Sequence, residues 1–361
     1  MTEWKKMTIG DLCDTISDTY HGDDEEVVLI NTSDVLEGKV LNHQVVENKN
    51  LKGQFKKTFK KNDILYSEIR PANKRYAFID FEDTENYIAS TKLMVLRPRE
   101  DVVRPRFLLS FLSSKSVLED LQQLAEMRSG TFPQITFSSE LAPTPIDVPD
   151  LETQDRIVRI LDVIEKKIST NMEINNNLEQ QAQTIYSSMF IEHRQESWST
   201  GQLSDLILVK YGKDHKKLAN GNYPVYGSGG IMRYVEKPLY TGESVLIPRK
   251  GTLNNVMYVN EAFWSVDTMF YTEMLRPNIA KFVYHFVKSK DLASLNAGSA
   301  VPSMTTNILN AMQLDIPDEK TLEKFENIVS PMYSAMQENT KESKILANTR
   351  DVLLSKLMSG E

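Results

Sequence analysis

The stretch IDVPDLETQDRI (Ile146–Ile157) returns 168 residues later as LDIPDEKTLEKF (Leu314–Phe325). SGTFPQIT before the first copy resembles GSAVPSMT before the second, which places Gly130 over Gly298. Two further segments, EWKKMTIGDL and SWSTGQLSDL, align Trp4 with Trp198 at an offset of 194. Because a repeat of this kind defines the architecture, the chain is organised as variable domain, helix, variable domain, helix.

A long helix is predicted to follow each copy. Asp150 and Asp318 stand at the helix starts, where a side-chain acceptor and negative charge are favourable. Apolar residues then recur at alternating four- and three-residue steps over Ile157–Met189 and Phe325–Leu357, which is the heptad spacing of a coiled coil. Pro331 lies off this seam and predicts a kink or a delayed start of the second helix.

Two such helices in one chain are expected to pair antiparallel about a two-fold axis. On that pairing Asn171 faces Ser343 and Asn175 faces Asn339, near the middle of the seam. Polar residues inside a seam cost stability but fix its register, so we predict that these four residues set the antiparallel register. The alternative, in which each helix packs on its own domain, explains the matched pair poorly.

The composition is that of a globular protein with two or three domains: 361 residues, 40% hydrophobic and 25% charged. The sequence has no run of 18 apolar residues and no apolar secretory segment near its start. One cysteine, Cys13, and five scattered histidines give neither a disulfide framework nor metal-ligand spacing. These features predict a cytoplasmic protein without a membrane span or a metal site.

Both variable domains mix strands and helices in the same order. In the first, strand-like NDILYSEIRPANKRYAFID precedes helical RFLLSFLSSKSVLEDLQQLAE; in the second, GESVLIPRKGTLNNVMYVN precedes KFVYHFVKSKDLASL. We predict an α+β fold with two variable domains of mixed strands and helices, separated by two long helices paired as an antiparallel coiled coil. The predicted segments are domain 1 at 1–150, helix 1 at 151–196, domain 2 at 197–317 and helix 2 at 318–361.

The charge of the chain is unevenly distributed. The net charge is −8. Between Lys49 and Arg75, however, the chain has nine basic and two acidic residues, and between Lys210 and Val256 it has eight basic and three acidic residues. Local positive charge is what phosphate contacts require, whatever the molecular total. One basic island in each half favours DNA binding over the alternative of solvated lysine-rich surfaces.

The candidate contacts follow from side-chain chemistry. Arginine can form two hydrogen bonds with guanine, asparagine can do so with adenine, and lysine mainly contacts phosphate. The first-domain candidates are Arg70, Asn73, Lys74 and Arg75 for bases and Lys56, Lys57, Lys60 and Lys61 for phosphates. The second-domain candidates are Ser228, Arg233, Arg249, Lys250, Asn254 and Asn255. For Gly130–Gln134 and its echo Gly298–Ser303, a structural elbow is favoured over contact with DNA or a partner.

This organisation resembles the specificity subunit of type I restriction–modification systems, over essentially the whole chain. The phrases YPVYGSGGIM, from Tyr223, and VLIPRKGTLNNVMYV are similar to family patterns. A glutamine frequent in the family after the repeated proline is present as Gln154 but missing from the second copy. The departure bears on whether both helices meet partners in the same way.

The resemblance implies a subunit without catalysis of its own. Each target recognition domain would read one half of a bipartite double-stranded DNA site, while the helices set the spacer and dock methyltransferase subunits. Two methyltransferase subunits and a restriction endonuclease/translocase subunit would be the partners. S-adenosylmethionine, ATP and magnesium would bind those partners, and no cofactor is expected on this chain.

Two other functions compete with this one. A coiled-coil scaffold whose domains bind protein or peptide would share the helices but has no need of the basic islands. A self-sufficient DNA methyltransferase or nuclease would need a catalytic motif, and neither a P-loop nor an [ND]-P-P-[aromatic] motif is present. The glycine cluster GSGG at Gly227 is more typical of a turn than of a cofactor loop.

Overall fold

The computed structural model describes residues 4–22, 24–49, 53–295 and 303–358. The chain divides into two compact units, Met1–Asn171 with Lys341–Glu361, and Met172–Thr340. The strands of the described residues are β1 (Lys5–Thr8), β2 (Cys13–Ile16), β3 (Glu26–Ile30), β4 (Val35–Leu36), β5 (Lys39–Val40), β6 (Val45–Glu47), β7 (Phe55–Lys57), β8 (Ile64–Ser67), β9 (Tyr76–Phe78), β10 (Tyr87–Ser90), β11 (Leu93–Pro98), β12 (Pro145–Val148), β13 (Ser199–Gln202), β14 (Ile207–Tyr211), β15 (Asn220–Gly227), β16 (Gly230–Val235), β17 (Tyr240–Pro248), β18 (Met257–Ser265), β19 (Met269–Met274) and β20 (Gln313–Ile316). The α-helices are α1 (Ile9–Leu12), α2 (Pro105–Leu112), α3 (Lys115–Arg128), α4 (Leu151–Ser187), α5 (Ala280–Lys288), α6 (Thr306–Asn310) and α7 (Glu319–Met358).

The repeated phrases form a two-stranded ladder that closes each domain. Strand β1 pairs antiparallel with β12, placing Lys6 opposite Asp147. Strand β13 pairs antiparallel with β20, placing Thr200 opposite Asp315. The two ladders have the same register, because their partners are related by the same offsets of 194 and 168 that align the sequence. The segments that begin and end the first domain therefore recur in the second, because in each domain these two segments pair with each other to form the ladder.

The two domains share a four-stranded antiparallel core. Its strand order is β2-β11-β8-β9 in the first domain and β14-β19-β17-β18 in the second. The predicted common order of strands and helices along the chain is confirmed, because β8, β9, β11 and α2 of the first domain correspond to β17, β18, β19 and α5 of the second. Around this core the domains differ, because the first adds a separate sheet, β6-β3-β10-β7, whereas the second extends its sheet with β15 and β16.

Each main core joins the sheet, a short helix and both long helices. In the first unit, Ile64 of β8, Phe107 of α2, Leu161 of α4 and Leu354 of α7 belong to one buried cluster. In the second unit the corresponding cluster contains side chains from β17, α5, α7 and the turn after α4, including Ile247, Phe282, Phe325 and Phe190. Each buried side chain of this size stabilises the fold by about 1.5–3 kcal/mol, so the long helices are part of both cores.

The long helices contact each other and run antiparallel, as predicted. In the first unit the Lys167 ammonium lies 3.1 Å from Glu342. In the second, the ring centroids of Phe190, in the turn that continues α4, and Phe325, near the start of α7, are 5.1 Å apart. The C-terminal end of the first long helix therefore meets the N-terminal end of the second. The seam positions of the described side chains are buried or half-buried throughout. Helix α7 continues through Pro331 from its start at Glu319, so a delayed start is wrong.

The helix bounds differ from the predicted segments. The first helix ends as an α-helix at Ser187 instead of 196 and continues as a π-helical turn over Ser188–Glu192. Both capping predictions are confirmed, because Asp150 accepts the Thr153 N–H at 2.7 Å and Asp318 caps the second helix in the same manner. The backbone hydrogen bond at the first helix start lowers the pKa of the Asp150 carboxyl.

Gln154, the family glutamine, is fully buried and ties α4 to the entry of α2. Its carbonyl accepts the Arg104 N–H at 2.7 Å, and its amide donates to the carbonyls of Val102 at 3.1 Å and Pro149 at 2.9 Å. The corresponding residue of the second copy, Leu322, is buried in the apolar core. The departure from the family pattern therefore exchanges a polar tie for an apolar contact inside the unit.

Polar groups fill the middle of the seam. In the first unit, buried Asn171 donates from Nδ2 to Glu342 Oε2 at 2.8 Å and to Ser343 Oγ at 3.2 Å. In the second unit, Asn339 donates to Asn175 Oδ1 at 2.9 Å. The structure thus brings together both pairs named from the sequence. Their role in setting the register stays a prediction.

A basic residue at the same place in α2 and α5 joins each sheet to a long helix. In the second unit the Lys281 ammonium is buried between Glu243 of β17, at 2.8 Å, and Glu326 of α7, at 2.6 Å. In the first unit the half-exposed Arg106 lies over the Phe78 ring of β9 and 3.5 Å from Asp162 of α4. Nothing in the sequence pattern indicated these ties, because their partners lie far apart along the chain.

The histidine of α5 also connects both long helices in the second unit. The ring of His285 is fully buried, with Nδ1 2.8 Å from Gln183 Oε1 of α4 and Nε2 2.9 Å from the Tyr333 hydroxyl of α7. Burial lowers the pKa of His285 to about 4, so the ring is neutral at pH 7. Its Nδ1 therefore donates to the amide carbonyl, and its Nε2 accepts from the tyrosine.

We predict that Lys281→Met lowers the free energy of unfolding by about 3–5 kcal/mol, because it leaves two carboxylates without their cation. The comparison variant, Arg106→Met, should cost about 1 kcal/mol or less, since its ion pairs are solvent-exposed. Urea unfolding followed by fluorescence measures both. Equal losses in the two variants would contradict the distinction between a buried and an exposed tie.

We predict that Asn171→Leu with Asn339→Leu raises the melting temperature and broadens the register of the helices. Spin labels on Val163→Cys and Val352→Cys, both exposed sites of the first unit, report the spacing by electron paramagnetic resonance. Native Cys13 is buried, which raises its pKa to about 12 and keeps it unlabelled. A single narrow distance in the double variant, unchanged from the parent, would show that these residues do not set the register.

Candidate nucleic-acid interface

The candidate residues concentrate in equivalent connections of the two domains. Loop 1 (residues 68–75) joins β8 to β9, and loop 2 (residues 249–256) joins β17 to β18, the corresponding strands of the common order. The strands before the loops are buried, with Leu65 and Leu246 fully enclosed. Because buried strands fix the loop ends, each loop presents its side chains from a rigid scaffold.

Loop 1 has a constrained backbone. Arg70 and Lys74 have φ angles of 46° and 54°, in the left-handed region, and flank a 3-10 turn at Pro71–Asn73. Such conformations cost about 1–3 kcal/mol each and persist where neighbouring contacts enforce them. Here the Arg70 N–H donates to the Pro133 carbonyl at 3.1 Å, and the Asn73 N–H donates to the Arg70 carbonyl at 2.8 Å.

The side chains of loop 1 divide into available and occupied groups. Arg70 and Asn73 are exposed, and neither side chain has a hydrogen-bond partner in the described part of the chain. Lys74 forms an ion pair with an exposed glutamate at 2.8 Å. Arg75 donates from Nη1 to two backbone carbonyls of the turn at 33–35, at 3.0 and 3.3 Å. Arg75 therefore has a structural contact, whereas Arg70 and Asn73 are free to meet a ligand.

The four phosphate candidates also differ among themselves. Lys56 and Lys60 are exposed and unpaired among the described residues. Lys57 is half-buried and donates to the Leu93 carbonyl at 2.8 Å, and burial lowers the pKa of its ammonium. Lys61 is paired with an exposed glutamate. The structure thus leaves Lys56 and Lys60 as the most accessible charges of the set.

The asparagines of loop 2 hold the loop in place. Asn254 donates from Nδ2 to Asp291 at 3.0 Å and accepts the Ala293 N–H on Oδ1 at 3.0 Å. Asn255 donates to the Ser228 carbonyl at 2.7 Å, which ties loop 2 to the two-residue turn between β15 and β16. This is the turn expected from GSGG. Both amides therefore have internal partners, and their base-reading role stays a prediction.

The three basic candidates of the second domain differ in accessibility. Arg233 is half-buried and donates from Nη2 to the Leu218 carbonyl at 2.7 Å. Arg249 donates from Nη1 to the Asp267 carbonyl at 3.2 Å, which leaves most of its guanidinium donors unused by the described residues. Lys250 is exposed. Arg249 and Lys250 are thus the basic side chains that loop 2 presents.

The segments before the long helices lie against the loops. Ile69 of loop 1 pairs in an isolated bridge with Gln134, at the end of Gly130–Gln134, and Lys250 of loop 2 pairs with Ser303. Residues 298–302 of the second segment lie outside the described residues. Each described segment thus supports a candidate loop, in addition to preceding a helix. Gln122 of α3, which accepts an N–H of loop 1 at 3.2 Å, is a further support that the sequence did not indicate.

The described residues contain no group of three or more histidine, cysteine, aspartate or glutamate side chains that could hold a metal ion. No helix among them combines the length and the apolar character that a membrane crossing requires.

Two regions of the chain, residues 1–180 and 195–346, match the model of the type I restriction modification DNA specificity domain. The chain belongs to this family. Its two matches correspond to the two copies of domain and helix deduced from the repeat, and they favour the specificity-subunit function over the coiled-coil scaffold.

Three curated relatives are specificity subunits of type I restriction enzymes. The HindI subunit of Haemophilus influenzae is 45% identical over 193 residues, which are 53% of this chain and 42% of the relative. The MjaIX subunit of Methanocaldococcus jannaschii is 20% identical over 307 residues, which are 73% of this chain and 70% of the relative. The EcoprrI subunit of Escherichia coli is 22% identical over 197 residues, which are 50% of this chain and 49% of the relative. The matches thus span about half the length of two relatives and 70% of the third.

Solved structures support the fold. An S subunit of a type I restriction–modification system from M. genitalium matches with a TM-score of 0.57 at 18% identity, over 99% of this chain and 96% of its own. A chain from a study of assembly and conformational transition of the type I R-M system matches with a TM-score of 0.50 at 16% identity, over 98% and 97%. The family fold therefore extends over nearly the whole chain.

We predict that Asn255→Ala lowers the free energy of unfolding by about 1 kcal/mol, because it removes the tie to the Ser228 carbonyl. Arg70→Ala should leave the free energy of unfolding within about 0.5 kcal/mol of the parent, since its side chain has no described internal partner. Urea unfolding measures both variants. A larger loss for Arg70→Ala than for Asn255→Ala would mean that the supporting and the presented side chains are wrongly assigned.

Proposed function

We propose that this chain is the DNA sequence-specificity subunit of a type I restriction–modification complex. Each domain would read one half of a bipartite double-stranded DNA site. One observation carries the proposal: the same pair of core strands in each domain is joined by a loop that presents basic side chains, namely exposed Arg70 in loop 1 and half-buried Arg249 with exposed Lys250 in loop 2.

The chemistry of the loops suits duplex DNA. A free guanidinium matches the O6 and N7 acceptors of guanine, and a free amide such as that of Asn73 matches N7 and N6 of adenine. The lysines Lys56 and Lys60 supply charge for phosphate contacts, which position a protein without specifying sequence. Different side chains in equivalent loops would give the two half-sites different sequences.

The long helices supply the second part of the proposal. Helices α4 and α7 carry apolar side chains that are exposed in the first unit, namely Ile160, Val163, Ile345 and Val352. Exposed apolar residues along a helix surface favour a protein partner. We propose methyltransferase subunits as that partner, with the paired helices setting the spacer between the half-sites.

Catalysis would reside on other subunits in this proposal. Two methyltransferase subunits would bind S-adenosylmethionine, and a restriction endonuclease/translocase subunit would use ATP and magnesium. This chain would carry no cofactor of its own and would not be an enzyme. Because DNA is the proposed ligand, the cytoplasm is the proposed location.

The test uses the full chain together with its methyltransferase subunits. Selection from a pool of random duplexes should yield one bipartite sequence with an unspecified spacer. We predict that Arg70→Ala then lowers affinity for the selected duplex by about 1–3 kcal/mol and relaxes one position of one half-site. Lys56→Ala should weaken binding to all duplexes alike, and the number of ions released on binding should fall by about one.

Lys324→Ala, which removes an exposed lysine of α7, is the matched control and should change neither quantity. Selection of no common sequence from the pool would contradict the proposed function. An equal loss for every duplex in Arg70→Ala would instead assign Arg70 to phosphate contact and leave the function standing.

A further inference from the structure

Arg249 lies against an aromatic ring that the sequence did not single out. Its guanidinium carbon is 5.4 Å from the ring centroid of Tyr211, the last residue of β14. The ring of Tyr211 is about half exposed, at 52%. On its inner side it packs edge-on against fully buried Phe270, with centroids 5.0 Å apart. The buried ring thus fixes the orientation of the exposed one.

The backbone of Arg249 is equally constrained. Its N–H donates to the Thr268 carbonyl at 2.9 Å, and its carbonyl accepts the Met304 N–H at 2.9 Å. One guanidinium nitrogen, Nη1, donates to the Asp267 carbonyl at 3.2 Å. A guanidinium has five N–H donors, so the remaining donors can serve a ligand. The Tyr211 ring face and the Asp267 carbonyl together restrict the plane of the guanidinium and leave most of its N–H donors available.

We propose that Tyr211 is a positioning residue that determines specificity, because it holds the Arg249 guanidinium in the plane needed for two hydrogen bonds to one guanine. The inference rests on the proposed function and extends it to a residue outside loop 2. Guanidinium groups stack on aromatic faces and pair with guanine through a planar fork. An arginine already held in this plane loses less side-chain freedom on binding than a free one.

The first domain offers a natural comparison. Arg70 occupies the equivalent loop, but among the described residues no aromatic ring lies under its guanidinium. Its backbone is in the left-handed region instead, with φ of 46°. A change at Tyr211 should therefore affect one position in the half-site of the second domain and none in the half-site of the first.

The experiment compares Tyr211→Leu, Tyr211→Phe and Arg249→Ala in the full chain with its methyltransferase subunits. Each protein is titrated with the selected duplex and with duplexes that carry one substituted base pair at each position. Arg249→Ala should lose discrimination at one position, by about 10- to 100-fold. Tyr211→Leu should lose about 3- to 5-fold at that same position, and Tyr211→Phe, which keeps the ring, should match the parent.

Several outcomes would overturn the inference. Full discrimination in Tyr211→Leu would show that Arg249 needs no ring, and an equal loss for all duplexes would show a general effect on folding or phosphate contact. Unchanged discrimination in Arg249→Ala would show that Arg249 does not read a base, so Tyr211 would have no base-reading residue to position. The proposed function would still stand if the parent protein bound DNA sequence-specifically. A parent without sequence preference would overturn both.

Discussion

Antiparallel packing of the two long helices is the constraint on which the rest of the structure depends. Neither helix can bury its own seam, so each unit needs a part of both: Leu161 shares a core with Leu354 in the first unit, and Phe190 packs on Phe325 in the second. The first unit therefore includes residues from both ends of the chain. Polar groups such as Asn171 interrupt the apolar seam near its middle, where they find hydrogen-bond partners on the other helix.

The repeat is strict where backbone pairing demands it and loose elsewhere. The closing ladders keep one register, since a slip by one residue would turn every side chain to the opposite face. Behind the ladders, different chemistry performs the same task. Gln154 ties α4 to its domain by hydrogen bonds where Leu322 uses apolar contact, and Arg106 is half-exposed where Lys281 is buried between two carboxylates. Here the backbone arrangement is the same in both copies, whereas the side-chain contacts that hold it differ.

The candidate interface shows a division between residues that build the loops and residues that the loops present. Basic and amide side chains look alike in a sequence, yet Arg75 and Asn255 bond to backbone carbonyls while Arg70 remains available. Buried strands and internal hydrogen bonds fix the loop ends, so the few side chains that the loops present can differ between the domains. This separation lets one type of core carry two different candidate binding surfaces.

The sequence by itself determined the repeat, the helices with their caps at Asp150 and Asp318, the antiparallel seam and the common order of strands and helices along the chain. These features follow from local spacing and from matched offsets, which a single chain displays directly. Only the tertiary structure decided which candidate residues are free, since the hydrogen-bond partners of the Lys57, Asn254 and Arg249 side chains lie 18 to 39 positions away. It also decided the continuity of α7 through Pro331 and the place of Tyr211 beside Arg249. Contacts of this kind depend on how strands are brought together, and neither periodicity nor composition encodes that arrangement.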